Sequence, residues 1–152
     1  MVCFTGEQVR IWKPDFCRDN FARWIASGEI LRLKQNLYSF PEYLQVPDSA
    51  LFLANQIYRP SYVSLHTALH FHGIIPEEVV QFTSVSTLKT AFFKNAFGSY
   101  SYRHISSRYM FGYDLMRTER QEPFVIRIAS PEKALIDLVH LYPEYRTAQD
   151  MM

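Results

Sequence analysis

The chain has 152 residues, is 48% hydrophobic and 16% aromatic, and carries a net charge of +1. That is enough apolar material for one ordinary domain or two small ones, and it excludes a disordered chain. No run of about 18 apolar residues is present, so no membrane helix and no membrane partner are expected, and the N-terminus lacks the basic start and apolar stretch of a secretory signal. The two cysteines, Cys3 and Cys17, are too few for a disulfide or metal framework and are expected as free thiols in a reducing, cytoplasmic compartment. Charge is spread unevenly: residues 1–40 carry six Lys/Arg against four Asp/Glu, and residues 81–130 carry seven against three. Two basic segments alternating with acidic ones suit a nucleic-acid face, and equally an ordinary solvated surface.

In chain order, the first elements predicted are helix, helix and hairpin. Thr5 and Gln8 have the spacing of a capping box, and the helix they open runs to about Lys13, before Pro14. A second helix covers Arg18 to Ser27 and stops at Gly28. Phe21, Trp24, Ile25 and Gly28 share one of its faces, and Asp19 and Arg23 point the other way. Residues 30–34 and 37–40 alternate apolar with polar residues, as strands joined at Gln35-Asn36, where Asn tolerates the left-handed conformation of a tight turn.

Pro41 to Pro47 reads as a linker. Asp48 is placed to cap a helix through about Ile57, and Ser64 to cap another from Leu65 to His72, ended by Gly73. Candidate strands follow at residues 79–85, 90–97, 100–105, 111–116 and 124–129, with Gly98-Ser99 as a hairpin signal. The final helix is the most sharply marked, with Ser130 as cap, Pro131 at its first position and Glu132 at its positive end. Leu135, Leu138 and Val139 form its apolar stripe, and Lys133 is expected at the surface. The predicted fold class is α+β, with a winged-helix-like module over residues 1–41 followed by an α+β domain over residues 42–152 that holds a helical pair, a mostly antiparallel sheet and a closing helix.

Helix, helix and hairpin is the order of a winged helix-turn-helix, in which the second helix enters the major groove and the hairpin touches the backbone. The DNA face is then Arg18, Asn20 and Arg23 from the helix, and Arg32 and Lys34 pointing off the hairpin. Arginine matches a guanine edge, asparagine an adenine edge, and the remaining cations match phosphates. The alternative is a set of solvated charges on a small α+β unit.

Other constellations favour structure over chemistry. His66 and His70 lie i, i+4 on one helix, but Thr67-Ala68-Leu69 between them lacks the glutamate of a zinc-protease motif, so no metal is expected. Lys133 and Asp137 are spaced for an ion pair and do not form an acid/base couple sharing a cleft. No Glu-x-Lys or Asp-x-Lys tripeptide and no phosphate-cradling glycine loop occurs, so neither catalysis nor a cofactor is expected. The aromatics Phe92, Phe93, Phe97, Tyr100 and Tyr102 interleave with Lys94 and Arg103, a pattern that suits base stacking but is by default sheet core with a solvated opposite face.

Three blocks resemble a known family when taken together. Residues 23–38 (RWIASGEILRLKQNLY) look like a recognition helix followed by a wing that ends in tyrosine. Residues 60–76 (PSYVSLHTALHFHGIIP) and 128–138 (IASPEKALIDL) look like that family's two later blocks, in its order and spacing. The family is the AbiEi-like antitoxins of type IV toxin–antitoxin systems. The resemblance implies a DNA-binding autorepressor that binds double-stranded operator DNA and counteracts a nucleotidyltransferase-like toxin, either as a homodimer or on paired half-sites. Winged helices carry a helix ahead of the pair seen here, and only Met1 to Phe4 precede Thr5. That feature favours the alternative of a protein-interaction module, with the unit used for toxin or self contact; a regulator outside the antitoxins that uses the same unit is a further alternative.

Overall fold

The computed structural model describes residues 2–15, 17, 19–76, 80–119 and 123–143. Its first unit contains β1 (Cys3–Phe4), α1 (Gly6–Trp12), α2 (Asp19–Ser27), β2 (Leu31–Lys34) and β3 (Leu37–Ser39). The capping box forms as predicted: Thr5 Oγ1 accepts from the Gln8 amide at 3.2 Å, and Gln8 Oε1 accepts from the Thr5 amide at 2.8 Å. Gly28 ends α2 in a left-handed conformation, φ 81°, that a residue with a Cβ adopts at a cost.

The three strands form an antiparallel sheet in the order β1-β3-β2. β1 is an addition to the predicted elements, because two residues carry no periodicity to read. Phe4, Phe21 and Ile30 make a small core with Tyr38 and Phe40 against it. Leu33 and Leu37 point to the opposite face and belong to the core of the second unit, where Val2 and Cys3 also pack. The alternation read as apolar and polar is therefore, for most positions, an alternation between two apolar clusters. The boundary placed near residue 41 marks a change in chain path that side-chain packing crosses.

The second unit opens with a 3-10 turn at Pro41–Gln45 in the expected linker, then α3 (Ser49–Ile57), β4 (Ser61–Val63) and α4 (Leu65–Phe71). β5 (Phe82–Ser86), β6 (Ala91–Asn95), β7 (Gly98–His104), β8 (Tyr113–Arg117), β9 (Val125–Ala129) and α5 (Pro131–Leu141) complete it. Six strands form one sheet in the order β6-β7-β5-β4-β9-β8. The pairs β4–β5, β6–β7 and β8–β9 are antiparallel, and β5–β7 and β4–β9 are parallel. The fold is thus α+β with a mostly antiparallel sheet. β4 was hidden between Pro60 and the helix after it; its three residues are all buried at the centre of the sheet. The β6–β7 hairpin turns at Ala96-Phe97, with Asn95 paired to Gly98, two residues before the turn read from Gly98-Ser99.

α3 packs on the sheet through Leu53, Ala54 and Ile57, all fully buried. Tyr100 and Tyr102 are also fully buried and donate their hydroxyls to the carbonyls of Ala50 (3.0 Å) and Ala54 (2.5 Å). These rings are core, each with its polar end satisfied. Phe92 on the same sheet is 59% exposed. The predicted caps divide. Ser130 accepts from the Lys133 amide at 3.2 Å with Pro131 at the first helical position. Asp48 sits at the start of α3 with φ 63° and no side-chain cap. The Ser64 hydroxyl turns away from α4, and Thr83 Oγ1 accepts from the Thr67 amide in its place, at 3.1 Å. Among the described residues, no helix is long and apolar enough to cross a membrane.

Candidate nucleic-acid interface

α2 is held against the small sheet by aromatic packing. Phe21 stacks on Tyr38 with centroids 4.6 Å apart and an interplanar angle of 8°, and Trp24 meets Phe21 edge-on at 6.1 Å. The opposite face of α2 is solvated and carries Arg23. The Arg23 guanidinium donates to Asn20 Oδ1, so the structure joins these two predicted residues one helical turn apart. The bond leaves the Asn20 amide nitrogen and the other guanidinium N–H groups as donors on the same face. Arg18 lies outside the described residues.

Arg32 is exposed on β2, opposite Tyr38 of β3. With Ala22 and Ile25 of α2 it lines a groove of about 490 Å³ between the helix and the hairpin. The hairpin tip is tied to α1. Asn36, at φ 64°, accepts from the Gly6 amide through Oδ1 at 3.0 Å and donates from Nδ2 to Glu7 at 2.5 Å. The tolerance of Asn for the left-handed region was readable in the sequence; its two tethers across the unit were not.

Lys34 departs from the predicted outward pose. The pairing of β2 with β3 shifts register between Arg32 and Lys34, and such an irregularity re-aims the side chains beyond it. Lys34 is half-buried, with its ammonium 5.8 Å from the centre of the Phe93 ring on β6. Burial first, and then the neighbouring charge of Arg59, hold its pKa below the ordinary lysine value. β2 therefore sends one cation to solvent and the other toward the second unit.

The chain matches no protein-family model and no curated protein sequence.

The ion pair expected between Lys133 and Asp137 forms, but its burial and its polar partners escaped the sequence reading. Lys133, expected at the surface, is only 3% exposed. Its Nζ lies 2.9 Å from Asp137 Oδ1. That contact is an ion pair by distance, but the angle is not that of a hydrogen bond, and among the described residues the ammonium has no acceptor of good geometry. The ammonium also sits 4.4 Å from the centre of the Phe111 ring. Asp137 Oδ2 accepts from the hydroxyls of Tyr62 (2.8 Å) and Ser64 (2.7 Å). Burial, and then the Asp137 charge and hydrogen bond, push the Tyr62 phenol well above its ordinary pKa. Gly112, at φ 76°, covers the lysine stem so closely that a Cβ there would lie 2.9 Å from Lys133 Cγ. With Tyr62 and Ser64 fully buried and Asp137 1% exposed, the cluster is closed to substrate. It joins α5 to β4 and to the start of α4. A lysine and an aspartate at i, i+4 on a helix whose neighbours are apolar was the available signal.

His66 meets the Tyr142 ring edge-on at 6.5 Å, and His70 is exposed. Among the described residues, no group of three or more His, Cys, Asp or Glu side chains is arranged to hold a metal ion.

Proposed function

We propose that this chain is a DNA-binding regulator of the AbiEi antitoxin type, which represses its own operon and antagonises a nucleotidyltransferase-like toxin. The observation that carries the reading is the solvated face of α2, where Asn20 and Arg23 are paired, beside a hairpin that presents Arg32 across a groove. The order β1-α1-α2-β2-β3 with strand order β1-β3-β2 suits the helix pair and hairpin of a winged helix-turn-helix unit. In that arrangement α2 enters the major groove and the hairpin lies along the backbone. Arg23 reads a guanine edge, with Asn20 steadying its guanidinium, and Arg32 meets a phosphate. The toxin partner rests on the three sequence blocks that resemble the family. The reading includes no catalysis and no cofactor.

Fluorescence anisotropy with the DNA upstream of the chain's own gene tests it. Arg23→Ala should weaken binding by about 1–3 kcal/mol and relax specificity at one base pair. Arg32→Ala should weaken all sequences alike and flatten the salt dependence. Unchanged affinity in the Arg23→Ala/Arg32→Ala double variant would sink the proposal. One observation favours a second reading, that the unit is a protein-interaction module: Ile11 and Trp12 at the end of α1 are 83% and 91% exposed. On that reading Trp12→Ala abolishes toxin or self association and leaves DNA untouched.

A further inference from the structure

Between the two units lies a cleft of about 900 Å³. Its walls come from β1, the β2–β3 turn, α3 and the residues leading into β9. Two cations line it, Lys34 from the hairpin and Arg59 from the segment after α3. They are close enough that the Arg59 charge lowers the pKa of Lys34, and it offsets part of the rise that burial imposes on the Cys3 thiol. No carboxylate belongs to the described lining, whereas the side-chain amides of Gln8, Gln35 and Gln56 do. Two like charges facing one cavity cost stability, and an anion placed between them offsets that cost.

We propose that this cleft binds a phosphate group, held between Lys34 and Arg59. The guanidinium supplies a planar fork of donors that fits two phosphate oxygens, and the ammonium supplies a point charge from the other wall. The glutamine amides provide neutral donors for the remaining oxygens. Tyr43 and Phe52, the latter stacked on Phe124 at 4.9 Å, give the cleft an aromatic wall against which a base attached to the phosphate can pack. This also accounts for the inward turn of Lys34 at the register shift, which separates it from Arg32 and the outer face of α2. The phosphate comes either from a free nucleotide or from the backbone of a nucleic-acid strand.

Calorimetric titration of the full chain with inorganic pyrophosphate, ATP, a short single-stranded oligonucleotide and the upstream duplex separates these sources. Binding of pyrophosphate and ATP, weakened about tenfold or more by Lys34→Gln or Arg59→Gln, establishes a nucleotide site. Binding of strand or duplex alone, with the same sensitivity, establishes a backbone site. The charge-preserving Lys34→Arg variant should retain binding in either case. A parallel NMR titration of the unmodified chain needs no variant: pyrophosphate or the oligonucleotide should shift the side-chain amide signals of Gln35 and Gln56. No shift of those signals with any probe overturns the proposal, as does binding of pyrophosphate, ATP or the single-stranded oligonucleotide that survives both glutamine substitutions. Neither result bears on Arg23 and Arg32, whose own variants test the outer face of α2.

Discussion

At the scale of single residues, the buried Lys133–Asp137 pair decides more than any surface charge. Asp137 satisfies two buried hydroxyls and neutralises one buried ammonium. Removing one partner of such a pair strands the other in a low-dielectric interior, whereas removing both does not. Asp137→Ala should therefore cost about 3–5 kcal/mol, and Lys133→Ala a comparable amount. The Lys133→Ala/Asp137→Ala double variant should lose less than the sum of the two, because it strands no charge and leaves only the Tyr62 and Ser64 hydroxyls without their acceptor. Urea unfolding of the four proteins forms a double-mutant cycle, and a Lys133→Ala variant as stable as the parent would refute this account. The surface position expected for Lys133 followed from treating a long charged side chain as solvated by default. The packing of Phe111 and Gly112 over it comes from a loop remote in sequence, which helical periodicity does not register.

At the scale of elements, the β2–β3 hairpin is aimed by its turn. Asn36 combines a left-handed backbone with two side-chain bonds to the start of α1. These contributions separate by substitution. Asn36→Gly keeps the backbone conformation and loses the bonds, at about 1 kcal/mol each. Asn36→Ala loses the bonds and adds about 1–2 kcal/mol for a Cβ in the left-handed region. Thermal melts should rank the parent above Asn36→Gly and Asn36→Gly above Asn36→Ala. Equal stability of Gly and Ala would show that the turn relaxes out of this conformation. Both variants should also weaken DNA binding, since the hairpin that carries Arg32 loses its tether to α1.

At the scale of the whole molecule, the small sheet serves two cores. Phe4, Ile30 and Tyr38 pack toward α2, while Leu33 and Leu37 pack toward the larger sheet, and Asn95 donates to the Leu33 carbonyl at 3.3 Å. The two units should then unfold together. Both tryptophans, Trp12 and Trp24, lie in the first unit, so their fluorescence reports that unit, and far-ultraviolet circular dichroism reports the whole. Coincident urea transitions are expected, and an earlier fluorescence transition would show that the first unit melts independently. The buried tyrosines set the alkaline limit. Tyr62, Tyr100 and Tyr102 have phenol pKa values raised above the ordinary 10, in each case first by burial. An acid with a raised folded-state pKa keeps its proton in the folded chain after the unfolded chain has released it. Stability is therefore complete below about pH 10 and falls as pH rises beyond it. Urea midpoints measured from pH 8 upward should be flat and then decline, and a midpoint that holds constant through pH 11.5, roughly 1.5 units above the free phenol's pKa, would contradict this.

The sequence by itself determined what depends on neighbours within a turn or two. The α1 capping box, the Gly28 stop, the left-handed Asn36 and the Ser130-Pro131 start of α5 all follow from local backbone chemistry. The longer strands follow from residue type and turn signals. The one-turn spacing of Asn20 and Arg23 and the exposure of Arg23 and Arg32 were legible for the same reason, since helical and strand periodicity place them before any packing is known. The tertiary structure alone decided what depends on partners far along the chain. β1 and β4 are too short to show a period and exist because neighbouring strands satisfy their backbone groups. The Thr83 hydroxyl displaces Ser64 from the end of α4 because Asp137, more than 70 residues away in sequence, takes the Ser64 hydroxyl. Lys34 turns inward because one irregularity in strand pairing reverses its face, and alternation read from the sequence has no means of locating a shift in register that only the partner strand defines.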